Sequence, residues 1–182
     1  MKKTILKFGL ISGLLSSLMM LATLPFEDKI GFTNKGYIVG YTTIVLSFLL
    51  VFFGIRSYRE NAGGGQITFT KAFTVGISIA LITCVCYVIT WEILYFTVMH
   101  DFMDKYSAYM LAKAQASGAS PAALQEQIQQ LKKSKEMYEN PLFNAAMTFL
   151  EPFPVGLVIT LISAAVLRKV PRSQPQQSLT NA

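Results

Sequence analysis

Two acidic residues, Glu92 and Glu151, stand alone inside long apolar runs. A carboxylate is costly to hold in hydrocarbon, and where one is held it commonly marks an ion pathway or a binding site. Apolar surroundings favour its protonated form, so two such groups could share a proton or bind a cation. A structural reading competes. Counting about 20 helical residues from Phe73 brings Glu92 to a membrane boundary, beside Trp91 and Tyr95, which suit an interfacial aromatic belt. Glu151 precedes Pro152 and Pro154. Prolines are tolerated in a first helical turn, and a glutamate at a helix start is favoured by the macrodipole. The two glutamates then share a depth, and contact between them is left open.

Other reactive patterns are sparse. His100 is the only histidine, which excludes a histidine-based metal cluster or an H-E-x-x-H site. Cys84 and Cys86, two apart on a helix, point to different sides and cannot bridge each other. Gly63-Gly64-Gly65 ahead of Lys71 lacks the G-x-x-x-x-G-K-[ST] spacing of a phosphate loop and reads as a flexible turn. Arg56, Arg59 and Lys71 around that turn are suited to anionic headgroups. The expectation is a protein with no catalytic residues, no metal and no cofactor.

The elements that carry these residues follow from composition. The chain has 182 residues, 52% hydrophobic and 14% charged, with a mean hydropathy of +0.44. A soluble domain carries roughly a quarter charged residues, and a disordered chain more. Both classes are excluded. Four stretches can cross a bilayer, at about 4–24, 37–55, 72–99 and 141–167. Each must be helical, because unpaired backbone groups are too costly in lipid.

The net charge of +6 would invite nucleic acid in a soluble protein. Here the basic residues flank apolar blocks, so the lipid bilayer is the expected partner and nucleic acid is not. With the N-terminus inside, nine Lys and Arg fall in inner segments and seven in outer ones. Five of those seven, Lys105, Lys113, Lys132, Lys133 and Lys135, lie in the 100–140 segment, where charges count for less. Both termini are expected in the cytoplasm.

Residues 100–140 read as a helical hairpin on the outer face. A helix from Asp101 to Ala116 continues out of the third span, Ser117-Gly118-Ala119 breaks it, and Ser120-Pro121 starts a second. Leu124, Ile128, Leu131 and Tyr138 then recur on one side, with Lys135 at the missing step. That stripe packs either on the preceding helix or on a partner, which makes Leu124, Ile128 and Leu131 candidate partner-binding residues. Small residues recur every four positions at Gly9, Gly13 and Ser17, at Gly36 and Gly40, and at Ala72, Gly76 and Ala80. Such stripes let helices approach closely, within one bundle or between copies.

Phe53-Gly54-Ile55-Arg56-Ser57-Tyr58-Arg59-Glu60, the glycines after it, Ile67-Thr68-Phe69 and Lys71-Ala72-Phe73 together carry a resemblance. Glu151-Pro152-Phe153-Pro154-Val155-Gly156 before a closing basic pair adds to it. The chain resembles the domain-of-unknown-function 4199 group of small membrane proteins from Bacteroidetes, over nearly its whole length. The resemblance implies a four-span bacterial inner-membrane protein and no activity.

The expected molecule is an all-α membrane protein with four transmembrane helices and an extramembrane hairpin between spans 3 and 4. Residues 1–171 form one membrane domain, and 172–182 form a disordered tail. Its expected role is that of a non-enzymatic structural or accessory subunit acting through helix packing and its outer hairpin, as a homo-oligomer or with an unknown membrane protein partner. The alternative is a small proton- or cation-coupled transporter or channel using Glu92 and Glu151.

Overall fold

Small polar side chains decide where the helices begin. In the computed structural model, which describes residues 1–26 and 31–169, four of the helices start at a capping side chain. The first helix, α1 (Lys2–Thr23), runs into a single 3-10 turn at Leu24–Phe26. The Thr33 hydroxyl accepts from the Gly36 amide and starts α2 (Asn34–Asn61). Thr68 caps α3 (Phe69–Thr97) through the Lys71 amide. After α4 (Phe102–Ala116), Ser120 accepts from Ala123 and Pro121 opens α5 (Pro121–Tyr138). The Asn140 side chain accepts from Leu142 and Phe143 at the head of α6 (Pro141–Leu150), and α7 (Phe153–Leu167) follows. Each such cap satisfies amides that the first helical turn leaves unpaired.

Four helical segments are long and apolar enough to cross a membrane: Lys2–Phe26, Asn34–Asn61, Phe69–Thr97 and Pro141–Leu167. The fold is all-α, with no strand among the described residues. The spans overrun the expected limits at several ends, most of all in α2, which continues past Ile55 to Asn61. The fourth is two helices rather than one. Pro152 and Pro154 lack the amides that would bond the Thr148 and Leu150 carbonyls, so the ladder breaks at Glu151-Pro152. The expected tail at 172–182 lies outside the described residues.

The third span is the hub. It packs on α1, α2, α6 and α7, while α1 and α7 also lean on α2. The core is a narrow seam of Ile44, Phe48, Val51 and Ile55 from α2 against Val75, Ile79 and Ala80 from α3. Outward, Leu10, Leu14 and Leu18 of α1 and Val45 and Leu49 of α2 are exposed, as lipid-facing positions must be. Lipid offers these side chains as apolar a setting as a neighbouring helix does, so close packing has to hold the bundle together.

The small residues show how. A Cβ on Gly9 would meet Ile82 at 2.9 Å, and one on Gly13 would meet Cys86 Sγ at 2.6 Å. One turn further, Ser17 and Thr90 share a hydrogen bond of 2.7 Å. Gly76 sits against Ile55 and Thr160, flanked by fully buried Ala72 and Ala80. Two of the three stripes are therefore seams within the bundle. The third is not: a Cβ on Gly40 would meet nothing within 4 Å.

The helix expected to continue out of the third span is interrupted instead. Met99 folds back, its amide bonding the Leu94 carbonyl at 2.9 Å, and α4 starts afresh at Phe102. Gly118, with φ of +76°, turns the chain between α4 and α5, which pack against each other. An ion pair between Asp104 and Lys135, 31 positions apart, ties the base of this antiparallel hairpin.

Candidate functional site

The hairpin's base and three of the spans enclose an open chamber of about 560 Å³. Gly36, Tyr37, Gly40 and Tyr41 of α2 form one wall, and Tyr87 and Trp91 of α3 a second. Thr148 and Glu151, at the broken helix, form a third, and Tyr106 and Tyr138 of the hairpin reach in from above. Tyr37 and Tyr41 fall on one side of α2 because they are four apart, and Tyr87, Trp91 and Tyr95 do the same on α3. Gly36 and Gly40 share that side of α2 and add no bulk there. The small-residue stripe read as a packing seam is therefore part of what keeps the chamber open.

Glu151 is the only charged side chain among the described residues that line the chamber. Its Oε2 accepts the Tyr87 hydroxyl proton at 3.0 Å, and its Oε1 takes no hydrogen bond among the described residues. It does not cap α7, whose first turn has no side-chain cap. Glu151 still stands immediately before the first turn of α7, and the hydrogen bond it makes runs sideways, to the third span.

Glu92 is elsewhere. It is absent from the chamber wall. It stands three and seven positions after the exposed Ile89 and Val85 and four before the exposed Phe96, on a side of α3 away from Tyr87, and is itself half-buried. Its Oε1 is buried without a hydrogen-bond partner. The helix that presents Tyr87 to Glu151 turns Glu92 away, and the two glutamates do not form a pair.

A polar relay that the sequence reading missed braces the chamber. Asn144 is fully buried; its Oδ1 accepts from Trp91 Nε1 at 2.9 Å and from the Thr148 hydroxyl at 3.2 Å. Its Nδ2 donates to the Tyr138 carbonyl at 3.2 Å. One side chain thus ties the third span, the outer half of the fourth and the end of the hairpin. The clue was present, since Asn144 is the one amide side chain within the apolar α6. Trp91 and Tyr95, read as an interfacial aromatic belt, pack inward: Trp91 lines the chamber, and Tyr95 is buried against Phe102 and Tyr138. Burial raises the Tyr138 phenol above its ordinary value, with the charges of Glu151 and Tyr106 adding to the effect.

Of the candidate partner-binding residues, Leu131 is buried, Leu124 half-buried and Ile128 exposed. At the other end of the bundle, the glycine turn is pinned rather than loose. Ile67 and Lys169 exchange both backbone hydrogen bonds at 2.9 Å, and Gly64 and Gly65 take positive φ to reach that register. Arg59 is drawn into the protein by this arrangement: it donates to the Leu167 carbonyl at 3.3 Å and pairs with Glu60. Arg56 also pairs with Glu60 but is about half exposed, and Lys71 is exposed beside the turn. Arg56 and Lys71 remain available to headgroups, while Arg59 is largely occupied by the helix end.

Residues 7–169 match the family described as "Protein of unknown function (DUF4199)". The chain belongs to this family. No curated protein and no solved structure matches it. Membership confirms the resemblance carried by the Arg56–Glu60 and Glu151–Gly156 segments, and it assigns no activity to the chamber between them.

Proposed function

We propose that this DUF4199 protein is a non-enzymatic, membrane-embedded binding protein whose chamber beneath the hairpin holds a small molecule. The observation that carries this is Glu151, the one carboxylate among the described residues of the wall, set at a helix break and opening into a volume typical of small-molecule sites. Broken helices and intramembrane carboxylates are expensive and recur where membrane proteins hold ligands. Cys84 is sealed in the core and Cys86 packs on Gly13, so neither thiol offers the chamber a nucleophile.

The protein is assigned to a bacterial inner membrane with both termini in the cytoplasm and the chamber on the periplasmic side. The excess of Lys and Arg in the inner segments supports this orientation. Gly40→Leu tests the binding role, because it fills the chamber from a position with open space around it. Native mass spectrometry of protein released from membranes should find a bound small molecule on the wild type and none on this variant.

A second reading, an accessory subunit docking through the hairpin, is favoured by Ile128, which stays 46% exposed on the outer helix. It predicts a stoichiometric protein partner and an empty chamber. The glutamate-pair transporter has less support, because Glu92 and Glu151 face different sides of the third span.

A further inference from the structure

We propose that the chamber selects a lipophilic organic cation, its charged centre held by Glu151 and its body by the surrounding aromatic rings. This rests on the binding role proposed above and adds the ligand's chemical class. Tyr37, Tyr41, Tyr87, Trp91 and Tyr138 supply the aromatic wall around one carboxylate. Aromatic faces attract ammonium-type cations, and the attraction grows when both are removed from water. No lysine or arginine lines the chamber among the described residues, so an anion would meet Glu151 uncompensated.

The same inventory separates an organic cation from a metal ion and from a lipid. Among the described residues no three His, Cys, Asp or Glu side chains come together, and a hard divalent ion needs six or more oxygen ligands. A bare ion would also leave most of about 560 Å³ unfilled. A zwitterionic lipid carries a phosphate beside its ammonium, and the described wall offers that phosphate no basic partner. A free cation with an apolar body fits both the charge and the walls.

The probes are tetraphenylphosphonium and tetraphenylborate, which have nearly the same shape and opposite charge. The chain's single tryptophan, Trp91, lines the chamber, so its fluorescence reports occupancy in neutral detergent. Saturable binding of the phosphonium and not the borate is expected on the wild type. Glu151→Gln should weaken it by about tenfold or more, since it removes the charge partner of a desolvated cation. Tyr41→Leu, a softer change at a side chain that makes no hydrogen bond among the described residues, should weaken it by about three- to thirtyfold.

Equal binding of both probes, lost on Gly40→Leu and unchanged by Glu151→Gln, would overturn the cation class and leave the binding chamber standing. A zwitterionic phospholipid retained through purification, and not displaced by the phosphonium, would overturn the free-cation assignment in the same way. Binding of neither probe, with no retained small molecule, would overturn the chamber role itself.

Discussion

Tyr87 and Glu151, 64 positions apart, meet through a 3.0 Å hydrogen bond that joins the middle of the third span to the break in the fourth. Neither residue needs the other for its own helix. The bond exists because Pro152 and Pro154 interrupt the ladder, and Tyr87 lies on the side of α3 that passes the interruption. Tyr87→Phe removes the donor and leaves the ring, so it should lower stability by about 0.5–2 kcal/mol, in the range measured for hydrogen bonds within membranes. Thermal unfolding in mild detergent measures it. An unchanged midpoint would mean the contact contributes nothing to the bundle.

The glycines separate two roles that look alike in sequence. Gly76→Val should destabilise by about 1–3 kcal/mol, because its side chain would drive into Ile55 and Thr160. Gly40→Val should be neutral or slightly stabilising, because nothing lies within 4 Å of its Cβ and glycine is a poor helix former. Paired melting curves of the two variants decide this, and equal losses would contradict the assignment of Gly40 to the chamber.

Asn144→Ala strands the Trp91 indole N–H and the Thr148 hydroxyl together. Leaving buried polar groups unpaired costs about 1–3 kcal/mol. The loss should concentrate at the hairpin end, visible as faster proteolysis between α5 and α6 while the opposite end stays protected. Uniform loosening would mean that Asn144 supports the whole bundle rather than this joint.

Within the hairpin, Leu131→Ser should weaken the packing of α5 on α4 by about 2 kcal/mol, whereas Ile128→Ser should not, since only Leu131 is buried. Capture of a partner through this helix would reverse the order for binding, with Ile128 the more sensitive. The hydrogen bond from Lys135 to Asp104 raises the lysine above its ordinary 10.5. A raised group stabilises fully below its unfolded value and ceases to as pH climbs through the folded one. On the alkaline side the pair should therefore hold through neutral pH and be lost only above 10.5. A paired spin-label distance across the hairpin that grew near neutrality would contradict this.

Much of the architecture was legible because it is local. Twenty-residue apolar runs, the Ser120-Pro121 start and the Gly9-Gly13-Ser17 stripe are each written in a few adjacent positions, and each dictates a helix, a cap or a seam. The chamber is written across distance. Tyr37 and Tyr41 and the Tyr87, Trp91 and Tyr95 series show their four-residue spacing in the sequence, but nothing local says that the two faces oppose each other. Glu92 and Glu151 looked equivalent because hydropathy records depth and not direction. Only the helical phase of α3, fixed by packing on α1 and α2, turns Tyr87 toward Glu151 and Glu92 away from it. The Gly36 and Gly40 stripe misled for a related reason, since a missing side chain serves close contact and open space equally well.

The most direct test of the binding chamber is a crystal structure of the protein grown from lipidic mesophase without removal of its native small molecules. Non-protein density bounded by Tyr41, Tyr87 and Glu151 beneath the hairpin is expected. A chamber closed by the Tyr37 and Tyr41 rings lying against Glu151, with no room left between them, would contradict it.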